Sequence, residues 1–213
     1  MAVRTTVHVM RHGEVYNPTK ILYGRIPGFR LSTLGEQMAD RAAEHFADND
    51  ITYVVASPLE RAQQTAKPVA VHHKLELATD INLIEADNIF EGQRVSVGDG
   101  VLRQPAAWRH LWNPFKPSWG EPYIDIAARM RVAIDAAREA ASGHEAVVVS
   151  HQLPIWVARL DAEKRRFIHD PRTRECSLAS VTSFVFDDAD LVAVTYAEPS
   201  ADLVEISTRG VGA

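Results

Sequence analysis

Three short segments carry residues suited to binding an anion and attacking it. In Arg11-His12-Gly13-Glu14 an arginine and a histidine stand side by side, before a glycine that lets backbone approach a ligand closely. Arginine offers a planar fork of donors matching phosphate oxygens. A neutral histidine offers a nitrogen nucleophile whose ring can be fixed through its other nitrogen. Ser57-Pro58-Leu59-Glu60-Arg61-Ala62 continues to Thr65-Ala66 and puts Arg61 in the first turn of an expected helix. Free backbone N–H groups and the helix dipole favour an anion there. Val147-Val148-Val149-Ser150-His151 ends an apolar run on a second histidine. Each segment has a plainer alternative: an exposed charged turn, a solvated Arg61, a His151 satisfied by nearby backbone. All three together are far less expected by chance than any one.

The elements that must position these residues follow from periodicity. Val3 to Met10, rich in β-branched residues, reads as a buried strand delivering Arg11 and His12 at its end. Thr33-Leu34-Gly35-Glu36 has capping-box spacing, and Leu34, Met38, Ala42 and Phe46 then mark one helix face. Ile51 to Ala56 reads as a strand, and Ser57-Pro58 as the start of a helix with Leu59, Ala62, Ala66, Val69 and His73 on one stripe. Leu75 to Thr79 is a short strand. Ala127, Met130, Ile134, Ala137 and Ala141 form another helical stripe, and Ala146 to Val149 has strand length. A helix starts at Leu153, Pro154 and Trp156. Two strands, Leu178 to Phe186 and Leu191 to Ala197, flank the acidic turn Asp187-Asp188-Ala189-Asp190. Alternation of strands with long helices implies an α/β fold with mostly parallel pairing and helices on both sheet faces. Ligands in such folds bind beyond the carboxyl ends of strands, where both histidines fall. One domain is expected over residues 1–213, with an aperiodic, aromatic-rich insertion at about 88–123.

Composition narrows the classes. The chain has 213 residues, 46% hydrophobic and 24% charged, enough for a normal core. A formal net charge of -5 argues against a nucleic-acid partner, which needs a basic field. Cys176 is the only cysteine, so neither a disulfide framework nor a cysteine-based zinc site is expected. No run approaches the roughly 18 to 20 apolar residues of a membrane span. Met1 to Met10 lacks a signal-peptide apolar region, so a cytoplasmic protein with no membrane partner is expected. His72 and His73 read as structural, and no metal-ligand constellation is evident.

In order and rough spacing, the three segments resemble the signatures of the histidine phosphatase superfamily, which contains cofactor-dependent phosphoglycerate mutases and many acid phosphatases. The likeness extends from Val3 to about Trp156. It implies a three-layer α/β/α, phosphoglycerate mutase-like fold with His12 as nucleophile and no cofactor. Arg11, Arg61 and His151 would complete the phosphate pocket. The family's proton donor usually lies in a Leu-x-Glu element after the second motif. Leu83-Ile84-Glu85 matches and makes Glu85 the expected acid, with Asp87 and Glu91 as competitors. Asn17 stands one residue nearer His12 than the family's common Asn, and is carried as a phosphate ligand. Gln152 follows His151 where a small residue is typical, and its amide could orient substrate. Tyr23 and Arg25 are further substrate-side candidates. The insertion reads either as a lid, with Arg109, His110 or Lys116 on substrate, or as a satellite core built on its tryptophans.

Three functions are then weighed. The first is a metal-independent phosphatase acting on a small phosphorylated metabolite through phosphohistidine. The second is a mutase returning the phosphoryl group to a bound intermediate. The third is a silent phospholigand-binding module. The insertion is more aromatic than basic, which favours the phosphatase over the mutase, and the nucleophile-plus-acid set speaks against a mere binder. An exposed edge strand near the C-terminus would permit a homodimer.

Overall fold

The computed structural model describes residues 2–94, 120–170 and 173–207. Six strands form one sheet in the order β3-β2-β4-β1-β5-β6. They are β1 (Arg4–Arg11), β2 (Ile51–Ala56), β3 (Leu77–Thr79), β4 (Glu145–Ser150), β5 (Val181–Asp187) and β6 (Asp190–Ala197). The first four pair in parallel, and β5 and β6 add antiparallel to the β1 edge. The expected α/β architecture with a mostly parallel sheet is the one observed. The tight acidic turn makes β6 antiparallel to β5, whereas the parallel strands are separated by crossover helices.

The helices are α1 (Thr33–His45), α2 (Glu60–His72), α3 (Tyr123–Ala140), α4 (Gln152–Ala162) and the short α5 (Ala201–Ile206). Side chains alternate across the central strand β4. Val147 and Val149 join Met38, Ala42, Ala62 and Val69 of α1 and α2 in one core. Ala146 and Val148 join Ala127, Met130, Ile155 and Val157 of α3 and α4 in the other. This period of two, buried on both faces, explains why β4 reads as an unbroken apolar run.

The topology creates the crevice for the site. β1 and β4 are neighbours in register, with Arg11 opposite Ser150. The chain leaving β1 runs to the α1 side of the sheet, and the chain leaving β4 runs to the α4 side. The carboxyl ends of these two strands therefore flank a topological switch point.

Several boundaries differ from expectation: β3 begins at Leu77 rather than Leu75, and β5 at Val181 rather than Leu178. Ser32, not Thr33, caps α1: its Oγ accepts from the Gly35 N–H at 3.0 Å. Ser32 Oγ also donates to the Glu14 carboxylate, which fixes it at the cap. Ser57-Pro58 stays outside α2, which begins at Glu60 with Leu59 as an N-cap without a side-chain bond. The Ser57 hydroxyl is engaged elsewhere. Most of the insertion, including Arg109, His110 and Lys116, lies outside the described residues.

Candidate active site

His12 leaves the end of β1 fully buried. Its Nδ1 lies 2.8 Å from the Gly13 carbonyl, which can only accept, so that nitrogen carries the proton and Nε2 presents a lone pair. Burial, then the charges of Arg61 and Arg11, holds the ring's pKa well below the usual histidine range. The imidazole is therefore neutral and nucleophilic at Nε2. Arg61 Nε donates to that same Nε2 at 3.3 Å.

The backbone around His12 is compressed. A Cβ on Gly13 would lie 2.6 Å from the Gly35 carbonyl oxygen, and one on Gly35 would collide with the Glu14 carbonyl. Two glycines thus let the start of α1 press against the Arg11–Glu14 loop. The Gly13 N–H donates to Thr65 Oγ1 at 3.1 Å, and Thr65 in turn donates to the Arg61 carbonyl at 2.7 Å. One threonine of α2 therefore ties the His12 loop to the Arg61 turn.

Arg61 is buried and held by its Nη2 bond to the Gly24 carbonyl at 2.7 Å, with its guanidinium 4.7 Å from the Tyr23 ring centroid. Arg11 donates through Nη1 to the Cys176 carbonyl at 2.8 Å. Neither guanidinium has a carboxylate at ion-pair distance among the described residues. His151 follows β4, its ring 5.2 Å from that of His12 and its Nε2 2.8 Å from Ser57 Oγ. Burial and Arg61 depress its pKa as well.

Glu85, just after the Ile81–Leu83 turn, is 5% exposed. Its Oε1 accepts from the Ala86 N–H at 2.8 Å. Burial raises its pKa, despite that bond and the opposing pull of Arg61 and Arg11. Each of Arg11, Arg61, Glu85 and His151 keeps one buried polar atom without a partner: Nε, Nη1, Oε2 and Nδ1 respectively. Buried unpaired groups cost roughly 1–3 kcal/mol each and are scarce in folded proteins. Four from residues that perturb one another electrostatically indicate a cradle shaped for a polar ligand.

The remaining candidates divide. Tyr23 is buried against Arg61 and stacks on Phe29 at 5.2 Å, forming a wall. The Asn17 amide serves its own loop, bonding the Ile21 carbonyl at 2.8 Å and the Ile21 N–H at 3.3 Å. Arg25 acts as a strut, donating to the Glu85 carbonyl at 2.7 Å and pairing with Glu121 at 2.9 Å. Arg129 grips the same Glu121 at 2.7 Å, so the pair of arginines fastens the turn that carries Glu85. Gln152 Nε2 lies 3.4 Å from the Cys176 carbonyl and Gln152 Oε1 faces Arg174. The competitor Glu91 is occupied with the Arg25 N–H at 2.8 Å.

Sequence reasoning gave no role to Ser57, Thr65, the Cys176 carbonyl, Glu121 or Arg174. The first two sit inside the second motif and were accessible to it. The other three lie far along the chain in stretches without period, where only the fold brings them to the site. Burial pushes the Cys176 thiol up to about 11, so that residue contributes its carbonyl rather than a reactive sulfur.

Comparison with known proteins gives matches in both sequence and fold. A sequence profile described as the histidine phosphatase superfamily (branch 1) matches residues 7–199. An uncharacterized Mycobacterium tuberculosis protein, Rv0525, is 57% identical over 201 residues, covering 94% of this chain and 100% of that one. A probable phosphoglycerate mutase, GpmB of Yersinia enterocolitica, is 28% identical over 186 residues, covering 82% and 83% of the two chains. Among solved structures, Bacillus stearothermophilus YhfR superposes with a TM-score of 0.75 at 22% identity, covering 89% of this chain and 95% of that one.

Proposed function

Because the chain belongs to the histidine phosphatase superfamily, we propose that it is a metal-independent phosphatase that hydrolyses a small phosphate monoester through a phosphohistidine at His12. The observation that carries this reading is the cradle itself: a neutral buried imidazole surrounded by unpartnered atoms of Arg11, Arg61, Glu85 and His151.

The chemistry follows from those groups. A phosphate monoester brings about two negative charges at neutral pH. Arg11 and Arg61, buried without counter-ions among the described residues, take up that charge and bind the equatorial oxygens as the transferred group flattens. Nε2 of His12 forms a bond to phosphorus while the bond to the leaving oxygen breaks. Protonated Glu85 gives its proton to that oxygen, releasing an alcohol. The Glu85 carboxylate then takes a proton from water, whose oxygen attacks phosphorus and frees His12. Phosphate leaves and Glu85 is again protonated.

The test is phosphate release from p-nitrophenyl phosphate and a panel of metabolite monoesters, with and without EDTA. Turnover unaffected by chelator is expected, and turnover abolished by it would defeat the metal-free mechanism. A mutase reading is favoured by the likeness to the GpmB relative. Transfer of label from bisphosphoglycerate to monophosphoglycerate at a rate matching hydrolysis would select it.

A further inference from the structure

We propose that Arg174, clamped beside the phosphate cradle by Gln152 and His169, forms a second anion subsite that selects phosphate monoesters bearing a carboxylate. This rests on the reading of His12 as phosphoryl acceptor and extends it to substrate class.

Arg174 lies on the connection between α4 and β5, partly buried. Its Nε donates to His169 Nε2 at 2.8 Å, and its Nη1 to Gln152 Oε1 at 3.3 Å. His169 is locked to receive it, because its Nδ1 lies 2.6 Å from the Phe167 carbonyl and must carry the proton. Both partners are neutral. Among the described residues no carboxylate lies within ion-pair distance of this guanidinium, and three of its five N–H donors are unused. None of those donors is among the buried unpartnered atoms, so they stay open to an incoming anion.

Its location says what that is. Gln152 Nε2 and Arg11 Nη1 share the Cys176 carbonyl, so a chain of three hydrogen bonds joins Arg174 to Arg11. Glu85 and Arg11 both act electrostatically on Arg174, and Arg174 acts on Glu85. The residue therefore stands at the edge of the cradle and outside its hydrogen bonds to His12. Charge matching favours a carboxylate over a second phosphate. A monoester dianion plus one carboxylate carries about three negative charges, against the guanidinium groups of Arg11, Arg61 and Arg174. A bisphosphate would bring about four and crowd them against Glu85.

The experiment compares 3-phosphoglycerate with glycerol 3-phosphate, which differ by a carboxylate in place of a hydroxymethyl group. In the wild-type protein kcat/KM should favour 3-phosphoglycerate by about ten- to a hundredfold, the range of a charge-assisted hydrogen bond, expressed chiefly in KM. Arg174→Ala should bring the ratio close to one, and Arg174→Lys should keep part of it. Arg174→Gln serves if the alanine variant does not fold. The same pair is read as dissociation constants by calorimetry on His12→Ala protein, with and without Arg174→Ala. A binding preference that needs Arg174, without turnover by wild type, upholds the subsite and removes the phosphatase reading. Turnover without preference does the reverse. Equal losses for both substrates in Arg174→Ala overturn the subsite in favour of a structural tie, and a preference for glycerol 1,3-bisphosphate over 3-phosphoglycerate overturns the carboxylate assignment.

Discussion

At the scale of residues, the account turns on opposite pKa displacements in one buried space. Burial and two arginines push the His12 pKa down, while burial pushes the Glu85 carboxyl up from its ordinary range. The shifts point in the directions the chemistry needs, towards a neutral nucleophile and towards an acid that holds its proton to higher pH than an ordinary carboxyl. Activity should fall on the alkaline side as Glu85 loses its proton, and on the acid side only once His12 is forced to gain one. Glu85→Gln should lower kcat on alkyl phosphates by roughly 10²–10⁴-fold and remove the alkaline limb. Loss on p-nitrophenyl phosphate should be smaller, since a phenolate leaves with less help. Equal losses on both esters would take the proton-donor role from Glu85.

At the scale of elements, strand ends and tight turns set the geometry. β1 and β4 deliver His12 and His151 to the same crevice, and Ser57 orients the His151 ring. Ser57→Ala should leave Nε2 of His151 unpaired and reduce kcat by about tenfold, with substrate KM nearly unchanged; an unaltered kcat would show that the hydroxyl does not position the ring. Gly13→Ala should be far more disruptive, because its Cβ meets backbone of the α1 start. We expect a loss of more than about 2 kcal/mol in denaturant unfolding, in keeping with forced overpacking. Most of these elements were legible in sequence, since buried strands and helix stripes impose periods of 2 and 3.6. His12, Arg11, Arg61, His151 and Glu85 were legible because they lie in or beside local motifs. Arg25 was read as a substrate contact from its loop position alone, yet it is committed to Glu121 and the Glu85 carbonyl. Arg174 was invisible for the matching reason: its partners His169 and Gln152 signal nothing until α4 and the following loop are folded together.

At the scale of the whole molecule, the two apolar layers must support a charged, under-satisfied centre. The cores on either face of the sheet supply the burial that displaces both histidines. The consequence is a sign for stability against pH. His12 and His151 have folded pKa values depressed below 6.5. Their contribution is complete above that value and is lost as pH falls from it towards the folded values, by about 1.4 kcal/mol per pH unit for each. Glu85, raised above 4.5, works the other way: its contribution is present below 4.5 and lost as pH rises towards its folded value. Two histidines outweigh one carboxyl between those limits. Unfolding free energy should therefore decline from about pH 6.5 to pH 5, and the decline should be shallower in His12→Ala. A slope unchanged by that substitution would mean that His12 takes up its proton as readily in the folded protein as in the unfolded chain.

The central claim is tested most directly by intact-protein mass spectrometry of enzyme quenched in alkali during turnover of a phosphate monoester, followed by peptide mapping. The account predicts a phosphoryl adduct on His12 that survives alkali, is lost in acid, and is absent from His12→Ala. Turnover with no adduct, or an adduct that persists in His12→Ala, would contradict it.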